Sequence, residues 1–508
     1  MTAEPVRLRA AGAPAAAIAL DGRRMTPAHV AAVASGAASV RLTTAARARN
    51  AAARAALEDL IAVRTPVYGV TTGVGALHDR AVAPEQAAEH QRGLLRSHAA
   101  GAGEPLAPEA VRAAMAVRLN QLGAGGGGVS DSLLDALAAA LGAGVIPVVR
   151  EIGGLGTGDL PALADIGRAL LGEGEAWSHG AVVPATLALA RAGLGPFVPG
   201  PRDGIALMSS NAVTIARAAL AAVRARRLAD AALVVAALSF EAIEADQAVL
   251  DARVHAARPL PGQVAVAARM RALLAGSAAP RRGPGVHDPL AFRCQPQVDG
   301  AALDALDALD RVLDVELNAA SENPLLVADP APGALASGNF HAVALALSLD
   351  GLRAALAQAA SLVAARTSAL LDERFSGLRG WLAAAREASS GAMALEYTAH
   401  AAAAETRLLA APATAQHTSV GAGMESHASF AAQSVRMTDV ALDRYSDALA
   451  TELVLACRAL GVAGRSAAGD GTRELFAQVA APADLADRAL TADVQRARAL
   501  FGVSATPR

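Results

Sequence analysis

One threonine in this chain is enclosed by glycines, in the segment Glu151-Ile-Gly-Gly-Leu-Gly-Thr-Gly-Asp-Leu-Pro161. Gly156 and Gly158 flank Thr157 directly, and glycine permits backbone angles that a Cβ atom forbids. The pattern predicts a tight, exposed loop that presents a hydroxyl group. An ordinary turn before a helix would use the same glycines. A phosphate-binding loop fits less well, because the chain has no lysine and Asp159 would repel a phosphate.

A second glycine-rich segment, Tyr68-Gly-Val-Thr-Thr-Gly-Val-Gly75, carries one of only three tyrosines. A phenol on such a loop can act as a general acid or base. Its alternative use is a half-buried aromatic residue with a hydrogen-bonded hydroxyl. Arg293 is suited to a substrate carboxylate, because a guanidinium binds that group through two hydrogen bonds. A structural ion pair is the alternative for Arg293.

The composition is that of a large globular protein. The chain has 508 residues, 53% of them hydrophobic, with a formal net charge of -2, so it can bury a sizeable core. Aromatic residues make up only 3%, so Ala, Leu and Val are expected to form that core. The near-neutral charge, without a basic stripe, argues against nucleic acid as a partner. Polar residues interrupt the apolar runs, so no membrane helix is expected.

The cysteine and lysine content limits the chemistry. Cys294 and Cys457 give neither a disulfide framework nor a zinc-binding spacing, so a reduced, cytoplasmic location is expected. Without lysine there is no Schiff base, which excludes the usual pyridoxal phosphate chemistry. The acidic stripe has no histidine beside it, so we interpret it as a helix face and not as a metal site; it consists of Asp304, Asp307, Asp310 and Asp314. No metal and no external cofactor are therefore predicted.

Most of the chain has helical spacing of its apolar residues. Helices are predicted at 27–35, 44–63, 108–120, 130–141, 162–171 and 393–407. A further helix is marked by leucines from Leu303 to Leu317 opposite the acidic stripe. The fold class is accordingly mainly α.

The Thr157 loop resembles the segment of the histidine and aromatic amino-acid ammonia-lyases in which Ala-Ser-Gly cyclises. The product there is methylideneimidazolone, abbreviated MIO, an electrophile made from the chain itself. Here the triplet is Gly156-Thr157-Gly158, so a ring would carry an additional methyl on the carbon that amines attack. Other segments resemble the family in colinear order from about Leu20 to His427, including Leu94 to Gly101, Arg202 to Ala212 and Ser337 to His341.

The resemblance implies a role for each matching residue. Tyr68 would take the β-proton of an amino acid, His98 would contact the substrate side chain, and Arg293 would hold the carboxylate. Ser209 replaces an asparagine that lies against the ring in relatives. The remaining matches are His287 and Leu290, which replace a glutamine and a tyrosine; Phe340, a pocket wall; and Glu405, which matches a glutamate beside the imidazole.

The resemblance also implies the ammonia-lyase (fumarase/aspartase-like) fold, with a domain at 1–200 that carries both glycine-rich loops and a long-helix bundle at 201–508. Relatives form homotetramers whose active sites draw residues from several subunits, so a homotetramer is expected. We predict a lyase or aminomutase for a small histidine-like or aromatic amino acid or derivative. The replacements at Thr157 and Ser209 weigh against a conventional MIO ring. A ring-free enzyme of the same fold and a non-catalytic binding homologue are the alternatives.

Overall fold

The computed structural model of the chain describes residues 16–178, 180–277, 287–384, 389–479 and 485–502. Helices dominate it, which confirms the predicted fold class. Short strands border the helices of the first part of the chain. They are β1 (Ala16–Leu20), β2 (Ala38–Leu42), β3 (Ala102–Pro105), β4 (Ile146–Pro147), β5 (Arg150–Ile152), β6 (Glu175–Ser178), β7 (Ala181–Pro184), β8 (Leu325–Val327) and β9 (Gly333–Leu335).

The strands form small separate sheets. β1 and β2 are parallel, with Ala16 opposite Ala38. The β3 and β5 pair is antiparallel, β6 pairs antiparallel with both β4 and β7, and β8 pairs with β9. The pairing of β3 with β5 bears on function, because Ile152 leads directly into the glycine-rich loop around Thr157.

The helices up to residue 208 surround these strands. They are α1 (Pro27–Ala34), α2 (Thr44–Ala62), α3 (Ala87–His98), α4 (Pro108–Ala124), α5 (Asp131–Gly142), α6 (Leu160–Leu170), α7 (Ala185–Arg191) and α8 (Asp203–Met208). Their starts follow ordinary capping chemistry. Thr26, Thr43 and Ser130 each accept a hydrogen bond from a backbone N–H of the first turn, which satisfies a donor that the helix itself leaves open.

The later helices form the bundle. They are α9 (Ala212–Ile243), α10 (Ala252–Ala256), α11 (Pro261–Leu273), α12 (Leu290–Arg293), α13 (Gln295–Glu316), α14 (Val343–Leu371), α15 (Glu373–Ser376), α16 (Ala394–Leu408), α17 (Ala431–Val462), α18 (Arg473–Val479) and α19 (Thr491–Leu500). Short 3-10 helices lie at Gly75–Leu77, Pro84–Gln86, Gln247–Leu250, Gly380–Leu382, Ala413–Ala415 and Gly421–Gly423. α9, α14 and α17 pack on one another at the centre of the bundle.

Alanine, leucine and valine fill the interior, as the composition predicts. One apolar cluster runs from Leu20 to Phe501 and includes most of the buried face of α9 and α17. On α13 the residues Leu306, Leu309 and Leu313 are buried, in agreement with the predicted leucine stripe. Alanine-rich surfaces let long helices approach closely, so the bundle can be tight with few aromatic residues.

Two stretches are long and apolar enough, by length and composition alone, to cross a membrane, namely 203–243 and 343–371. Charged residues interrupt both stretches, for example Arg217 in the first and Asp350 in the second. Their most apolar windows are 89% and 61% buried inside the fold. Both stretches are core helices of the bundle, which explains why their apolar residues need no lipid.

A fully buried ion cluster joins residues that are distant from one another in the sequence. Arg118 on α4 contacts Glu322 with 2.7 Å between guanidinium nitrogen and carboxylate oxygen, and Arg202 lies 3.8 Å from the other oxygen of Glu322. All three side chains are fully buried. Burial lowers the pKa of Arg202 to about 10, although the charge of Glu322 opposes that shift. One carboxylate therefore compensates two buried cations.

We expect Glu322→Gln to destabilise the protein, because it leaves both guanidinium groups without a counter-charge in the interior. The free energy of unfolding should fall by about 3–5 kcal/mol, as measured by urea denaturation. Glu58→Gln is the matched control: Glu58 pairs with Arg54 but is 62% exposed, so its loss should cost less than about 1 kcal/mol. Equal effects of the two substitutions would contradict this account of the cluster.

Candidate active site

The loop around Thr157 is held in a backbone conformation that requires glycine. Gly156 and Gly158 have φ angles of +82° and +115°, which residues with a Cβ atom rarely adopt. A Cβ atom on Gly156 would also lie 2.0 Å from the hydroxyl oxygen of Ser429. The tight loop that the glycines predict is thus present. Thr157 itself is half-buried, and not fully exposed as expected.

Three long helices begin at this loop. The Gly158 N–H donates to Oδ1 of Asn211 at 3.0 Å, immediately before α9. The Gly156 carbonyl accepts from the Ala342 N–H at 3.0 Å, immediately before α14. The same carbonyl accepts from the Ser429 hydroxyl at 2.9 Å, two residues before α17. Since the N-terminus of a helix carries a partial positive charge, the helix starts give the loop a positive electrostatic environment.

Asp159 follows the loop and is buried. Its carboxylate accepts from the N–H and the hydroxyl of Thr214 at 2.7 and 2.8 Å. Burial raises the pKa of Asp159 to about 6, against the hydrogen bonds of Thr214 and Val213 and the charge of Arg217. The Asp159 N–H also donates to the Ser210 carbonyl at 2.8 Å. Asp159 therefore anchors the far side of the loop to the start of α9.

A carboxylate lies directly beside Thr157. The Thr157 hydroxyl donates to Oε2 of Glu425 at 3.2 Å, and Glu425 is half-buried. Within the described part of the chain, no arginine or histidine forms an ion pair with this carboxylate. Two residues further on, His427 Nδ1 lies 2.9 Å from His341 Nε2. Burial and the neighbouring charge of His427 lower the pKa of His341.

The Tyr68 loop is tied to the same region. Gln91 donates to the Gly69 carbonyl at 2.7 Å and accepts from the Ile205 N–H at 2.9 Å, which fixes the loop against α8. The Gly75 N–H donates to the Tyr68 hydroxyl oxygen at 2.8 Å. The hydroxyl hydrogen of Tyr68 can therefore still donate to a different acceptor. The 3-10 helix Gly75–Leu77 touches the 3-10 helix Gly421–Gly423, which precedes Glu425. The Tyr68 loop and the segment that carries Glu425 are therefore neighbours in the fold.

Three further residues from the sequence prediction lie in this region. His98 ends α3, where its Nδ1 is 2.9 Å from the Leu94 carbonyl, and Gly101 just beyond it packs against Gly153 of the loop. Ser209 ends α8 and is 8% exposed; its hydroxyl makes no hydrogen bond within the described residues. The Phe340 carbonyl accepts from the Asn211 side chain. Within one subunit, the segments that carry Tyr68, His98, Ser209 and Phe340 therefore lie next to the elements that hold the Thr157 loop.

Arg293, Leu290 and His287 lie elsewhere in the subunit. Arg293 precedes α13, whose last carbonyl, that of Glu316, accepts from Gln121, a side chain that also contacts Ser210 beside the loop. The 22 residues of α13 span about 33 Å at 1.5 Å per residue. Arg293 is therefore at the opposite end of the bundle, and it has no ion-pair partner within the described residues. Leu290 is 63% exposed, and His287 is exposed beside it.

Glu405 is also distant from the loop in one subunit. It is exposed on α16, and its Oε2 lies 3.0 Å from Nε of Arg444. Arg444 is 14 positions after Phe430 on α17, which places it about 21 Å along the helix from the loop. The carboxylate at the loop is Glu425, and the amide oxygen that holds Gly158 comes from Asn211.

Glu425 and Asn211 were missed as site residues for different reasons. The segment Glu425-Ser-His427 carries the family resemblance to its end, so a signal for Glu425 existed. Asn211 stands two residues after Ser209, and neither spacing nor residue type distinguishes it from a helix cap. Ser429 gave no signal, because a single serine in a loop has many uses.

The loop fits an MIO-type ring in its backbone but not in its side chains. Ring closure joins the Gly158 nitrogen to the Gly156 carbonyl carbon, and the two hydrogen bonds on that carbonyl oxygen would stabilise the charge that develops there. Thr157, however, would place a methyl on the electrophilic carbon. Ser209 carries a hydroxyl and no carboxamide. Positions 157 and 209 thus both differ from the side chains that the resemblance associates with the ring.

The chain is similar to known proteins in both sequence and structure. Residues 25–481 match the family model for aromatic amino acid lyases. Histidine ammonia-lyase of Paracidovorax citrulli is 39% identical over 423 residues, with 82% of each chain covered, and that of Symbiobacterium thermophilum is 37% identical over 481 residues, covering 93% of this chain and 94% of its own. Among solved structures, an ergothioneine-degrading ergothionase of Treponema denticola superposes with a TM-score of 0.91 at 28% identity, covering 96% of this chain and 98% of its own. Histidine ammonia-lyase of Trypanosoma cruzi has a TM-score of 0.89 at 30% identity, covering 96% and 93%.

We expect Asp159 to make the protein less stable as the pH rises from about 4 to about 6. Its pKa is raised in the folded state, so the folded state binds the proton more tightly than the unfolded chain does. Ionisation therefore removes up to about 3 kcal/mol of unfolding free energy in that interval. Asp159→Asn should lack this component, whereas Asp135→Asn, at an exposed position on α5, should retain it. A difference between wild type and Asp159→Asn that stays constant in urea denaturation from pH 4 to 7 would contradict the assignment.

Proposed function

The chain belongs to the aromatic amino acid lyase family, a family of carbon–nitrogen lyases, and from that premise we propose an elimination on a histidine-like or aromatic amino acid or derivative. Tyr68 is assigned as the base that takes the β-proton. The observation that carries the proposal is the hydrogen bond of Thr157 to Glu425, on a segment that contacts the loop carrying Tyr68. A phenol, a hydroxyl and a carboxylate at the start of three helices make a site for chemistry on a small polar substrate.

The positions of His98 and Glu425 support a substrate with an imidazole-type side chain. His98 lies beside the entry to the loop and can exchange hydrogen bonds with a ring nitrogen. Histidine and ergothioneine, which the names of the relatives mention, both carry an imidazole-derived ring. We assign Glu425 as the carboxylate at the substrate in place of Glu405, because Thr157 holds Glu425 at the loop.

Arg293 needs a second copy of the chain to reach the substrate. It lies at the end of α13 away from the loop, and α13 is about 33 Å long, so we propose that the Arg293 end of one subunit meets the Thr157 end of another. A homotetramer with antiparallel bundles would provide that arrangement. The exposed apolar residues Leu290, Val315 and Leu347, which are 63%, 67% and 56% exposed, supply surface that such an assembly would bury.

Members of the family use an electrophilic ring made from their own chain, without an external cofactor. We propose that Thr157 in this chain keeps its side chain, because the methyl group and the short Ser209 oppose a conventional ring. Thr157 then serves through its hydroxyl, which positions Glu425. A binding homologue without turnover is the remaining alternative, and it predicts tight ligand binding without product.

We expect Tyr68→Phe to lower kcat by about 10²–10⁴-fold, the usual contribution of a general base. Binding of the substrate should change little, because the aromatic ring remains. Tyr397→Phe is the matched control, since Tyr397 is 73% exposed on α16. Thr157→Ala should retain measurable turnover. Formation of the conjugated acrylate product, followed by ultraviolet absorbance, measures all three. Full activity of Tyr68→Phe would contradict the proposed mechanism.

Mixing two inactive variants tests the shared site. If each active site takes Tyr68 from one subunit and Arg293 from another, Tyr68→Phe and Arg293→Met subunits that are unfolded and refolded together should regain up to about a quarter of wild-type activity. Each variant refolded alone gives the baseline. Sites complete within one subunit would give no recovery above that baseline, because neither subunit would contain both residues.

A further inference from the structure

A narrow cavity lies inside the helix bundle. Side chains of α9, α11, α13, α14 and α17 enclose it, and alanines and leucines form most of its walls. Its empty space, including the mouth, is about 490 Å³. On α9 the wall consists of Ala225, Ala229 and Ala232, which span about 10 Å along the helix. Because alanine ends at Cβ, the space beside α9 stays open as an elongated slot.

Two polar side chains line the slot from inside the bundle, Asp299 of α13 and Tyr445 of α17. Tyr445 is 3% exposed, and within the described residues its hydroxyl has no hydrogen-bond partner. The charge of Asp299 contributes to the raised pKa of Tyr445, after the larger effect of burial, so the two groups are neighbours. Buried polar groups are normally hydrogen-bonded. The free hydroxyl therefore indicates a partner that the chain itself does not supply.

The charges around the slot do not balance. Arg366 donates from Nε and Nη2 to Glu452 at 2.6 and 2.9 Å, and both side chains are fully buried. In the part of the chain that the structure describes, Asp299 has no ion-pair partner. Burial raises the pKa of Asp299 to about 6, against the charge of Arg366 and a hydrogen bond from Gln295. Two carboxylates and one guanidinium leave one negative charge uncompensated when all three are ionised.

Arg269 also lines the slot, but its charge is engaged at the surface. Its guanidinium lies 2.6 Å from the carboxylate of Asp230, and the two side chains are 48% and 54% exposed. Water and salt screen such an exposed pair, so it does little for a carboxylate inside the bundle. An apolar slot with an uncompensated carboxylate and a free hydroxyl suits a ligand that has an apolar body and a cationic head.

We propose that the slot binds a primary alkylammonium ion with a short, unbranched chain. An ammonium group has three N–H donors, so it can donate to the carboxylate of Asp299 and to the hydroxyl oxygen of Tyr445 together. The chain lies along the three alanines of α9. Tyr445 is about 21 Å along α17 from the start of that helix at the Thr157 loop. The alkylammonium ion is therefore a second ligand and not the amino acid that we place at the loop.

The test is a calorimetric titration of the full-length wild-type protein with n-butylammonium chloride. At about pH 8 both Asp299 and the amine, whose pKa is close to that of lysine, are ionised. We expect one site per chain and a dissociation constant of about 1 mM or lower. The affinity should rise about fourfold for each methylene from methylammonium to n-butylammonium, because the walls are apolar. The neutral analogue 1-butanol should bind at least about tenfold more weakly.

Asp299→Asn tests the role of the carboxylate. It should weaken binding of n-butylammonium at least about tenfold and leave binding of 1-butanol unchanged, because it removes only the charge. Asp314→Asn is the matched control: Asp314 is also on α13 but is exposed, so this variant should keep the wild-type affinity. Ala229→Leu fills the slot and should abolish binding of both ligands.

Equal affinity of the wild-type protein for n-butylammonium and 1-butanol would overturn the inference. Binding of n-butylammonium that is unaffected by Asp299→Asn would do the same, because the ion would then be bound elsewhere. Absence of binding at millimolar concentrations of the ion would also overturn it. If Ala229→Leu does not fold, the comparison of the two ligands and the Asp299→Asn variant still decide the question.

Discussion

The peptide groups of Gly156 and Gly158 impose the constraint on which the site depends. Buried backbone donors and acceptors must be hydrogen-bonded, and here the partners come from Asn211, Ala342 and Ser429. Each partner lies within two residues of the start of a helix of about thirty residues. The conformation of the loop therefore depends on the relative positions of those three helix starts. Conversely, the loop supplies hydrogen-bond partners to all three, so the bundle and the loop stabilise one another.

Charge is distributed unevenly around the Thr157 loop. The helix starts contribute partial positive charge, whereas Asp159 and Glu425 lie on two sides of the loop. The two carboxylates differ in their surroundings. Asp159 is buried and accepts hydrogen bonds from Thr214. Its pKa is raised to about 6, so it is a structural group that titrates just below neutral pH. The Glu425 carboxylate is half-buried, and among the described residues its hydrogen-bond partner is the Thr157 hydroxyl. Burial and hydrogen bonding thus distinguish a structural carboxylate from the one proposed to meet a ligand.

Much of the fold could be predicted from the sequence, because it follows from local patterns. The caps at Thr26 and Ser130 and the leucine stripe of α13 depend on neighbours within a few residues, and the structure has them. Tyr68 and His98 could be assigned because glycines and family motifs surround them. Glu405 and Glu425 could not be distinguished in this way. Both are glutamates near matching segments, and only the path of the chain decides which one faces Thr157.

The separation of Tyr68 from Arg293 has a physical origin that no pattern along the chain reveals. α13 is 22 residues long, so its two ends lie about 33 Å apart, and no side-chain motion closes that distance. In the proposed mechanism, proton transfer by Tyr68 and carboxylate binding by Arg293 therefore belong to opposite ends of the subunit. The length of α13 would then also set the spacing at which a second subunit docks. Helix length, and not residue type, is thus the physical reason for proposing a site built between chains.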